Sequence, residues 1–190
     1  MHILFIRSLE DSRDLILRFN DLGHKVSYMP VIKIQGIEYE KVNFKDYKAL
    51  IFTSANSLKF LNTKEIDKNV YCFCVGIATE KKALKLGFQN IITAEGNVRN
   101  LKEIIIRNFN SSDGKILYLS GEIISKHLDK ELKLLGYDIK RIINYTANPI
   151  HRIDEKFIDD LKTNIPDIVY VYSQNSAHSF LKIIKNYKLN

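Results

Sequence analysis

Two short polar motifs in this chain have the composition of an anion-binding turn. The pattern Ser-x-Asn-Ser occurs at Ser54–Ser57 and again at Ser173–Ser176. Each copy directly follows a run of residues that favours a strand, at Leu50–Phe52 and at Ile168–Tyr172. A serine there can end the strand and cap a helix, and the backbone N–H groups of a first helical turn attract anions. We therefore predict two similar strand-turn-helix units, each with a polar helix start.

Other polar residues lie at the predicted ends of strands, where ligands bind in open α/β sheets. The candidate ligand-binding residues are Arg7, Ser54, Asn56, Thr79, Gly121, Ser173 and Asn175. These residues could instead be ordinary helix caps, each worth about 1 kcal/mol, and Arg7 could pair with Glu10 or Asp11. We favour ligand binding for Ser54 and Thr79, and the sequence leaves both interpretations open for most of the others.

Strand and helix patterns alternate around these residues. A Leu-Gly pair at Leu22-Gly23, Leu86-Gly87 and Leu135-Gly136 separates a helical pattern from a β-rich run each time, as a left-handed helix end does. This alternation predicts an α/β fold with a parallel sheet. The segment Val31–Glu40 is predicted to be an extended connector. The predicted strands are Ile3–Ile6, Lys25–Met29, Lys48–Phe52, Asn69–Val75, Ile91-Ile92, Lys115–Leu119, Ile139–Tyr145 and Ile168–Tyr172.

The repeats predict two lobes. About five β-α repeats between Lys48 and Tyr145 are enough for one doubly wound domain. The β-α-β unit at the start and the helix-β-α unit at the end cannot bury their faces alone, so we pair them as a discontinuous domain. Lobe 1 is then formed by residues 1–34 and 150–190, and lobe 2 by residues 35–149.

Composition narrows the class of function. Lysine and arginine exceed aspartate and glutamate by 29 − 22 = 7, which would favour an acidic partner. The basic residues are scattered and lack interleaved aromatic residues, which argues against nucleic acid. No apolar run approaches the roughly 18 residues that a membrane span needs. The five histidines have no metal-ligand spacing, and Cys72 and Cys74 are expected to be buried thiols of a cytoplasmic protein.

The order of these motifs resembles uroporphyrinogen-III synthase, the cyclising enzyme of tetrapyrrole and haem biosynthesis. The resemblance covers nearly the whole chain, and its motifs together are more specific than any of them alone. The matching motifs are Ile3–Arg7, Gly23 with Val26 and Pro30, Phe52–Asn56, Val75–Thr79, Ile116–Gly121, Tyr145, and Tyr172–Ser176.

The resemblance implies two flavodoxin-like parallel-sheet lobes joined by a two-stranded linker, with a substrate cleft lined by helix starts. In the family the second Ser-x-Asn-like motif is normally followed by a glycine–threonine turn and about two more β-α steps. This sequence stops at Asn190, so the first lobe is expected to be discontinuous and incomplete, and an activity of the chain as given would be in question.

The resemblance also implies the chemistry. The substrate would be hydroxymethylbilane, a linear polycarboxylate that loses its hydroxyl, inverts its last pyrrole ring through a spiro intermediate and closes. Tyr145 matches the family's tyrosine and would donate a proton or hydrogen bond to the departing hydroxyl; without that match it would be an ordinary strand tyrosine. No metal and no cofactor are expected. The protein would act as a monomer and receive its substrate from hydroxymethylbilane synthase.

Two further functions stay open at this point. A non-catalytic two-lobed module could hold an anionic metabolite in the same cleft, which the early end of the chain motivates. A basic nucleic-acid-associated protein is the weaker option, and it would require a steeply salt-dependent affinity for DNA.

Overall fold

Strands and helices alternate along the computed structural model of the chain, which describes the backbone of residues 1–7 and 9–188 and the side chains of residues 1–7 and 12–188. The elements in chain order are β1 (His2–Phe5), α1 (Leu9–Asp21), β2 (Lys25–Tyr28), β3 (Ile32–Gly36), β4 (Tyr47–Phe52), α2 (Ala55–Lys59), β5 (Tyr71–Val75), α3 (Ile77–Lys85), β6 (Ile91–Ala94), α4 (Val98–Asn108), β7 (Lys115–Gly121), α5 (Leu128–Leu134), β8 (Ile139–Pro149), α6 (Glu155–Thr163), β9 (Ile168–Tyr170) and α7 (Gln174–Tyr187).

The chain forms two compact units. The central unit contains residues 34–147, and the terminal unit contains residues 1–33 and 148–190. The chain passes from one unit to the other within β3 and within β8. In the terminal unit the strands have the order β2-β1-β9, and both pairs are parallel. Its core combines side chains of β1 and α6 with Met29, Val31 and Ile183.

The larger sheet has the strand order β3-β8-β7-β4-β5-β6. The pairs β8-β7, β7-β4, β4-β5 and β5-β6 are parallel, so the predicted parallel sheet is confirmed. Numbered along the chain from β4, these five strands have the order 3-2-1-4-5. The resemblance implies a flavodoxin-like sheet, and the flavodoxin-like fold has the strand order 2-1-3-4-5. That part of the expectation is therefore wrong for this sheet. Its topological switch point lies between β4 and β7.

Helices cover both faces of this sheet, which is why its strands are apolar on both sides. Along β4, Ala49 and Ile51 pack with residues of α4 and α5, whereas Leu50 and Phe52 pack with residues of α2 and α3. All four side chains are at most 1% exposed. Burial of one large apolar side chain contributes roughly 1.5–3 kcal/mol, so these layers fix the ends of the strands firmly enough to position a site.

Two sequence predictions about element boundaries are corrected. The segment predicted as an extended connector contains β3, which adjoins β8 in the larger sheet. The strand predicted to end at Tyr145 continues to Pro149. Among the described helices, none has both the length and the hydrophobicity that a membrane span requires.

Candidate functional site

The carboxyl ends of β8, β7, β4 and β5 meet at one edge of the larger sheet, because these strands are parallel neighbours. Five of the predicted site residues belong to this edge: Tyr145, Gly121, Ser54, Asn56 and Thr79. Ligands of open α/β sheets bind at this end, next to the switch point. The Ser54 turn after β4 and Gly121 at the end of β7 lie on the two sides of that switch point.

Tyr145 packs directly against Gly121. A Cβ atom placed on Gly121 would lie 2.8 Å from Cζ, 2.9 Å from Cε2 and 3.0 Å from the hydroxyl oxygen of Tyr145. The tyrosine is 9% exposed, and its carbonyl accepts a hydrogen bond from the N–H of Glu122 at 3.0 Å. The phenol ring therefore leaves no room for a side chain at position 121, so only glycine fits there. Its alternative role as a helix cap is excluded, since the next helix, α5, begins at Leu128 with His127 as its N-cap.

A bulge precedes this contact. Ser120 pairs with Ile143, but Gly121 pairs with Tyr145, so β8 has one extra residue there. The extra residue leaves both Asn144 and Tyr145 buried. Bulges of this kind often re-aim a side chain next to an active site, and the sequence pattern gave no sign of this one.

Arg141 connects the ends of β7 and β8, and sequence reasoning missed it. Its Nε donates to Ser120 Oγ at 2.7 Å, and its Nη2 donates to the carbonyls of Gly121 at 2.8 Å and Glu122 at 3.1 Å. The only signal in the sequence is a lone arginine inside the apolar run of β8.

Asn144 connects β8 to the turn after β4. It is fully buried, and its Nδ2 donates to the carbonyl of Ser57 at 2.7 Å. Its own carbonyl accepts the N–H of Ile37 at 3.0 Å. Its Oδ1 is buried, and no partner for that oxygen exists among the described residues. Asn144 therefore fixes the first turn of α2 relative to the strand that contains Tyr145.

Thr53 and Tyr118 form a hydroxyl pair near the switch point, with 3.1 Å between the two oxygens. Tyr118 is 1% exposed. Burial raises the pKa of its phenol above the ordinary value, while the bond to Thr53 and the charge of Arg141 offset part of that rise. Tyr118 is therefore a neutral structural neighbour of the site at physiological pH.

The Ser54 turn has the geometry that the sequence predicted. Ser54 is the N-cap of α2, and its Oγ accepts the N–H of Asn56 at 3.2 Å. Ser57 Oγ donates back to the carbonyl of Ser54 at 2.7 Å. The Oδ1 atom of Asn56 is buried, and the described part of the chain offers it no partner. The helix cap is confirmed, and it leaves this amide oxygen as a free acceptor within the same turn.

Thr79 does not cap its helix. Gly76 is the N-cap of α3 at φ 77°, ψ 151°, a conformation that glycine adopts without strain. Thr79 is the third helical residue and is 3% exposed, whereas Ile77 at the helix start is 61% exposed. A ligand at the end of β5 would therefore meet the first backbone N–H groups of α3 rather than the threonine hydroxyl.

The terminal unit contains the other three predicted residues. Arg7 lies over the ring of Tyr172, with its Cζ 4.8 Å from the ring centroid. Ser173 is the N-cap of α7 and shares a capping box with Ser176, and Asn175 is exposed in the first turn. The structure therefore brings Arg7 close to the second Ser-x-Asn-Ser turn. The alternative ion pair of Arg7 with Glu10 or Asp11 lies outside the described side chains.

Within the described part of the chain, no three His, Cys, Asp or Glu side chains come together in a way that could hold a metal ion. The residues described above offer hydroxyls, amides, backbone N–H groups and the guanidinium groups of Arg7 and Arg141. Such groups can hold carboxylates by hydrogen bonding, and the phenol can supply a proton.

Comparisons with known proteins give a family and a fold. The model of the family described as uroporphyrinogen-III synthase HemD matches residues 13–190. No curated protein sequence matches the chain. The crystal structure of uroporphyrinogen-III synthetase from Helicobacter pylori 26695 matches with a TM-score of 0.60 at 18% identity, over 95% of this chain and 76% of that chain.

A second solved structure agrees with the first. A mutant uroporphyrinogen III synthase from the extremely thermophilic bacterium Thermus thermophilus matches with a TM-score of 0.56 at 12% identity, over 97% of this chain and 76% of that chain. At such identities the likeness shows a shared α/β fold, while the family match rests on the sequence itself. Because that match extends over most of its length, this chain belongs to the uroporphyrinogen-III synthase family.

Proposed function

We propose that this chain is a hydro-lyase that cyclises hydroxymethylbilane to uroporphyrinogen III. The single observation that carries the proposal is the placement of Tyr145, whose hydroxyl end packs on Gly121 at the carboxyl edge of the larger sheet. The family match supports the reaction class. The polar turn at Ser54, on the other side of the switch point, supports a ligand with acidic groups.

The chemistry requires orientation more than strong acid–base power. Hydroxymethylbilane closes unaided without inverting its last ring, so the enzyme must hold one conformation and direct the attack. In our proposal Tyr145 donates its proton to the departing hydroxyl, which leaves as water and gives the azafulvenium cation. Loss of the pyrrole N–H proton then gives the neutral azafulvene, and a proton returned to the phenolate restores Tyr145. The last ring then inverts through the spiro intermediate before closure. General acid catalysis of this type typically contributes about 10²–10⁴-fold.

The carboxylates of the substrate would bind to the turns at the ends of β4 and β5. Ser54 and the first turn of α2 supply a hydroxyl and an amide, and the start of α3 supplies N–H groups beside an exposed surface. Thr79 would support binding indirectly, by packing that holds the start of this helix in place, because its side chain is buried. The excess of seven basic residues adds long-range attraction for a polyanion.

We also propose that Arg7, Ser173 and Asn175 of the terminal unit contribute to substrate binding. A guanidinium and an exposed capped helix start suit carboxylates. The two compact units support the proposed lobes, residues 1–34 with 150–190 and residues 35–149. A monomer in the cytoplasm that receives its substrate from hydroxymethylbilane synthase completes the proposal. The buried free thiols of Cys72 and Cys74 are consistent with a reducing compartment.

The direct test is to supply hydroxymethylbilane and separate the type III from the type I product after oxidation. The proposal expects type III product formed faster than the spontaneous type I product, which an incubation without protein measures. Type I product alone, at the spontaneous rate, would contradict it. Tight binding of uroporphyrinogen III without turnover would instead identify an anion-binding module.

A further inference from the structure

Arg141 holds the end of β7 at the place where that strand loses one of its neighbours. The paired register of β7 with β4 ends at Leu119 opposite Phe52. Beyond Leu119, the pairs of β7 are with β8 alone among the described residues, and the bulge interrupts that ladder between Ser120 and Gly121. A strand end of this kind needs side-chain support, because its carbonyl groups have few backbone partners nearby.

One side chain supplies that support at three successive residues. The guanidinium of Arg141 donates to Ser120 Oγ and to the carbonyls of Gly121 and Glu122, all within 3.1 Å. A planar guanidinium has donors in a fixed fork and can bind several acceptors at once, which a lysine ammonium or a glutamine amide cannot reproduce. The geometry thus depends on the arginine and not on a positive charge alone.

The held segment is the surface on which Tyr145 rests. Gly121 lies under the hydroxyl end of the phenol, at a distance that leaves no room for a side chain. The N–H of Glu122 donates to the carbonyl of Tyr145 at 3.0 Å. Two of the three acceptors of Arg141 therefore belong to the residues that contact Tyr145. A shift of this segment would move the phenol oxygen and its backbone together.

We infer that Arg141 is a positioning residue for Tyr145: its guanidinium fixes the end of β7 across the bulge of β8 and so sets the direction of the phenol. It acts through Ser120, Gly121 and Glu122 and needs no contact with the substrate. The inference rests on the proposed function for its kinetic consequence, whereas the placement of Tyr145 can be measured without any reaction.

The first test follows the tyrosine itself. Incorporate 3-fluorotyrosine at position 145 and record its ¹⁹F NMR signal in the full chain and in the variants Arg141→Gln and Arg141→Lys. We expect the signal to move and broaden in both variants, because neither side chain can bind the three acceptors together. Gly121→Ala should move it also, since the new methyl group collides with the ring.

A matched control uses another arginine. Arg107 is exposed on α4, so Arg107→Gln makes the same change of charge at a distance from the site and should leave the signal unchanged. An unchanged signal in both Arg141 variants would overturn the inference. If Arg141→Gln does not fold, as judged by its circular dichroism spectrum, Arg141→Lys decides alone, because it keeps the charge and most of the stem.

The second test separates positioning from binding. With hydroxymethylbilane, Arg141→Lys should lower kcat by about tenfold or more and lower the fraction of type III product, with KM changed by less than about threefold. A rise of KM at unchanged kcat would mean direct contact with the substrate and would overturn the inference. If the unaltered chain yields only type I product, the proposed function fails, while the ¹⁹F signal still decides whether Arg141 places Tyr145.

Discussion

The two Ser-x-Asn-Ser motifs form nearly the same turn in the two units. The Oγ of Ser54 accepts a first-turn N–H at 3.2 Å, and the Oγ of Ser173 does so at the same distance. In each copy the last serine returns a hydrogen bond to the carbonyl of the first, at 2.7 Å for Ser57 and 2.8 Å for Ser176. The local cap is therefore a property of four residues, independent of where they lie.

The surroundings of the two turns differ. β4 is paired on both sides and is almost entirely buried, whereas β9 has three residues, two of them exposed, and pairs with β1 among the described strands. The helix after β4 has five residues and the helix after β9 has fourteen. The turn after β4 is therefore held by its strand neighbours, and the turn after β9 by its own helix.

The residue that precedes each motif shows the same contrast. Thr53 bonds to Tyr118 of the neighbouring strand β7. At the equivalent place the hydroxyl oxygen of Tyr172 lies 3.4 Å from the Oγ of Ser12 in α1, and the ring of Tyr172 lies under the guanidinium of Arg7. The turn after β4 is also connected to β8, because Asn144 donates a hydrogen bond to the carbonyl of Ser57. The sequence motif therefore makes a cap, while packing against other strands makes a candidate site.

The strongest test of this contrast compares two tyrosines. Tyr145→Phe should lower kcat by about 100-fold or more, as expected when a general acid is lost, with little change in Tm because the ring is kept. Tyr172→Phe keeps its ring under Arg7 and loses only the contact with Ser12, so kcat should change by less than about threefold. Initial rates of type III product formation measure both. Similar losses in the two variants would remove the distinction between the units.

The next test compares two asparagines. Asn144→Ala removes the buried donor to Ser57, and a buried carbonyl left without a partner costs roughly 1–3 kcal/mol. Asn175→Ala changes an exposed residue and should alter the free energy of unfolding by less than about 0.5 kcal/mol. Urea denaturation followed by circular dichroism gives both values. An equal stability of the two variants would show that the tie between β8 and α2 contributes nothing.

Sequence reasoning succeeded where neighbours along the chain decide the structure. The alternation of strands and helices, and the caps at Ser54 and Ser173, follow from local hydrogen bonding and hydrophobic pattern. The sequence allows Thr79 as a possible cap of α3, but Gly76 occupies the N-cap position, at a positive φ that glycine adopts without strain. Tyr145 is a candidate through the family resemblance alone, because a tyrosine in a strand is otherwise common.

The parts that failed depend on long-range register. Alternating strands and helices are compatible with more than one strand order, so the flavodoxin-like order could not be distinguished from the order observed. The bulge adds one residue to β8, and that single residue determines that Asn144 faces Ser57 and that Tyr145 meets Gly121. Arg141 finds its acceptors only after β7 and β8 are aligned, and no local pattern contains that information.

A smaller test concerns the caps themselves. Ser54→Ala and Ser173→Ala should each cost about 1 kcal/mol, because each leaves a first-turn N–H without its acceptor. Amide hydrogen exchange in α2 and α7 reports each cap separately, and it should accelerate about fivefold. Glycine at the same positions costs only a few tenths of a kcal/mol and serves as the control. If the central turn contributes more to substrate binding, Ser54→Ala should raise KM more than Ser173→Ala does. An equal rise for Ser173→Ala would mean that the two turns are functionally equivalent.

The smallest effect concerns Tyr118, the partner of Thr53. Burial raises the pKa of Tyr118 in the folded protein, whereas a tyrosine in the unfolded chain ionises near pH 10. Its contribution to stability is therefore fully present below about pH 10, and it is lost as the pH rises through the folded-state pKa. Tyr118→Phe should cost about 1 kcal/mol at neutral pH through the lost hydrogen bond, and it should make the free energy of unfolding fall less steeply in alkali.

Thr53→Val separates the hydrogen bond from the ionisation. It removes the bond to Tyr118 at a similar cost near neutral pH, but it keeps the buried phenol and raises its pKa further, since the bond to Thr53 lowers that pKa. The alkaline fall should therefore persist in Thr53→Val and weaken in Tyr118→Phe. A residual fall comes from other groups: burial raises the pKa values of Tyr39 and Tyr137, and the hydrogen bond to Cys74 together with burial raises the pKa of Cys72. Urea denaturation between about pH 8 and pH 11 measures how steeply the free energy of unfolding falls in each variant. Identical slopes in the two variants would show that Tyr118 is not held as a neutral phenol behind the central turn.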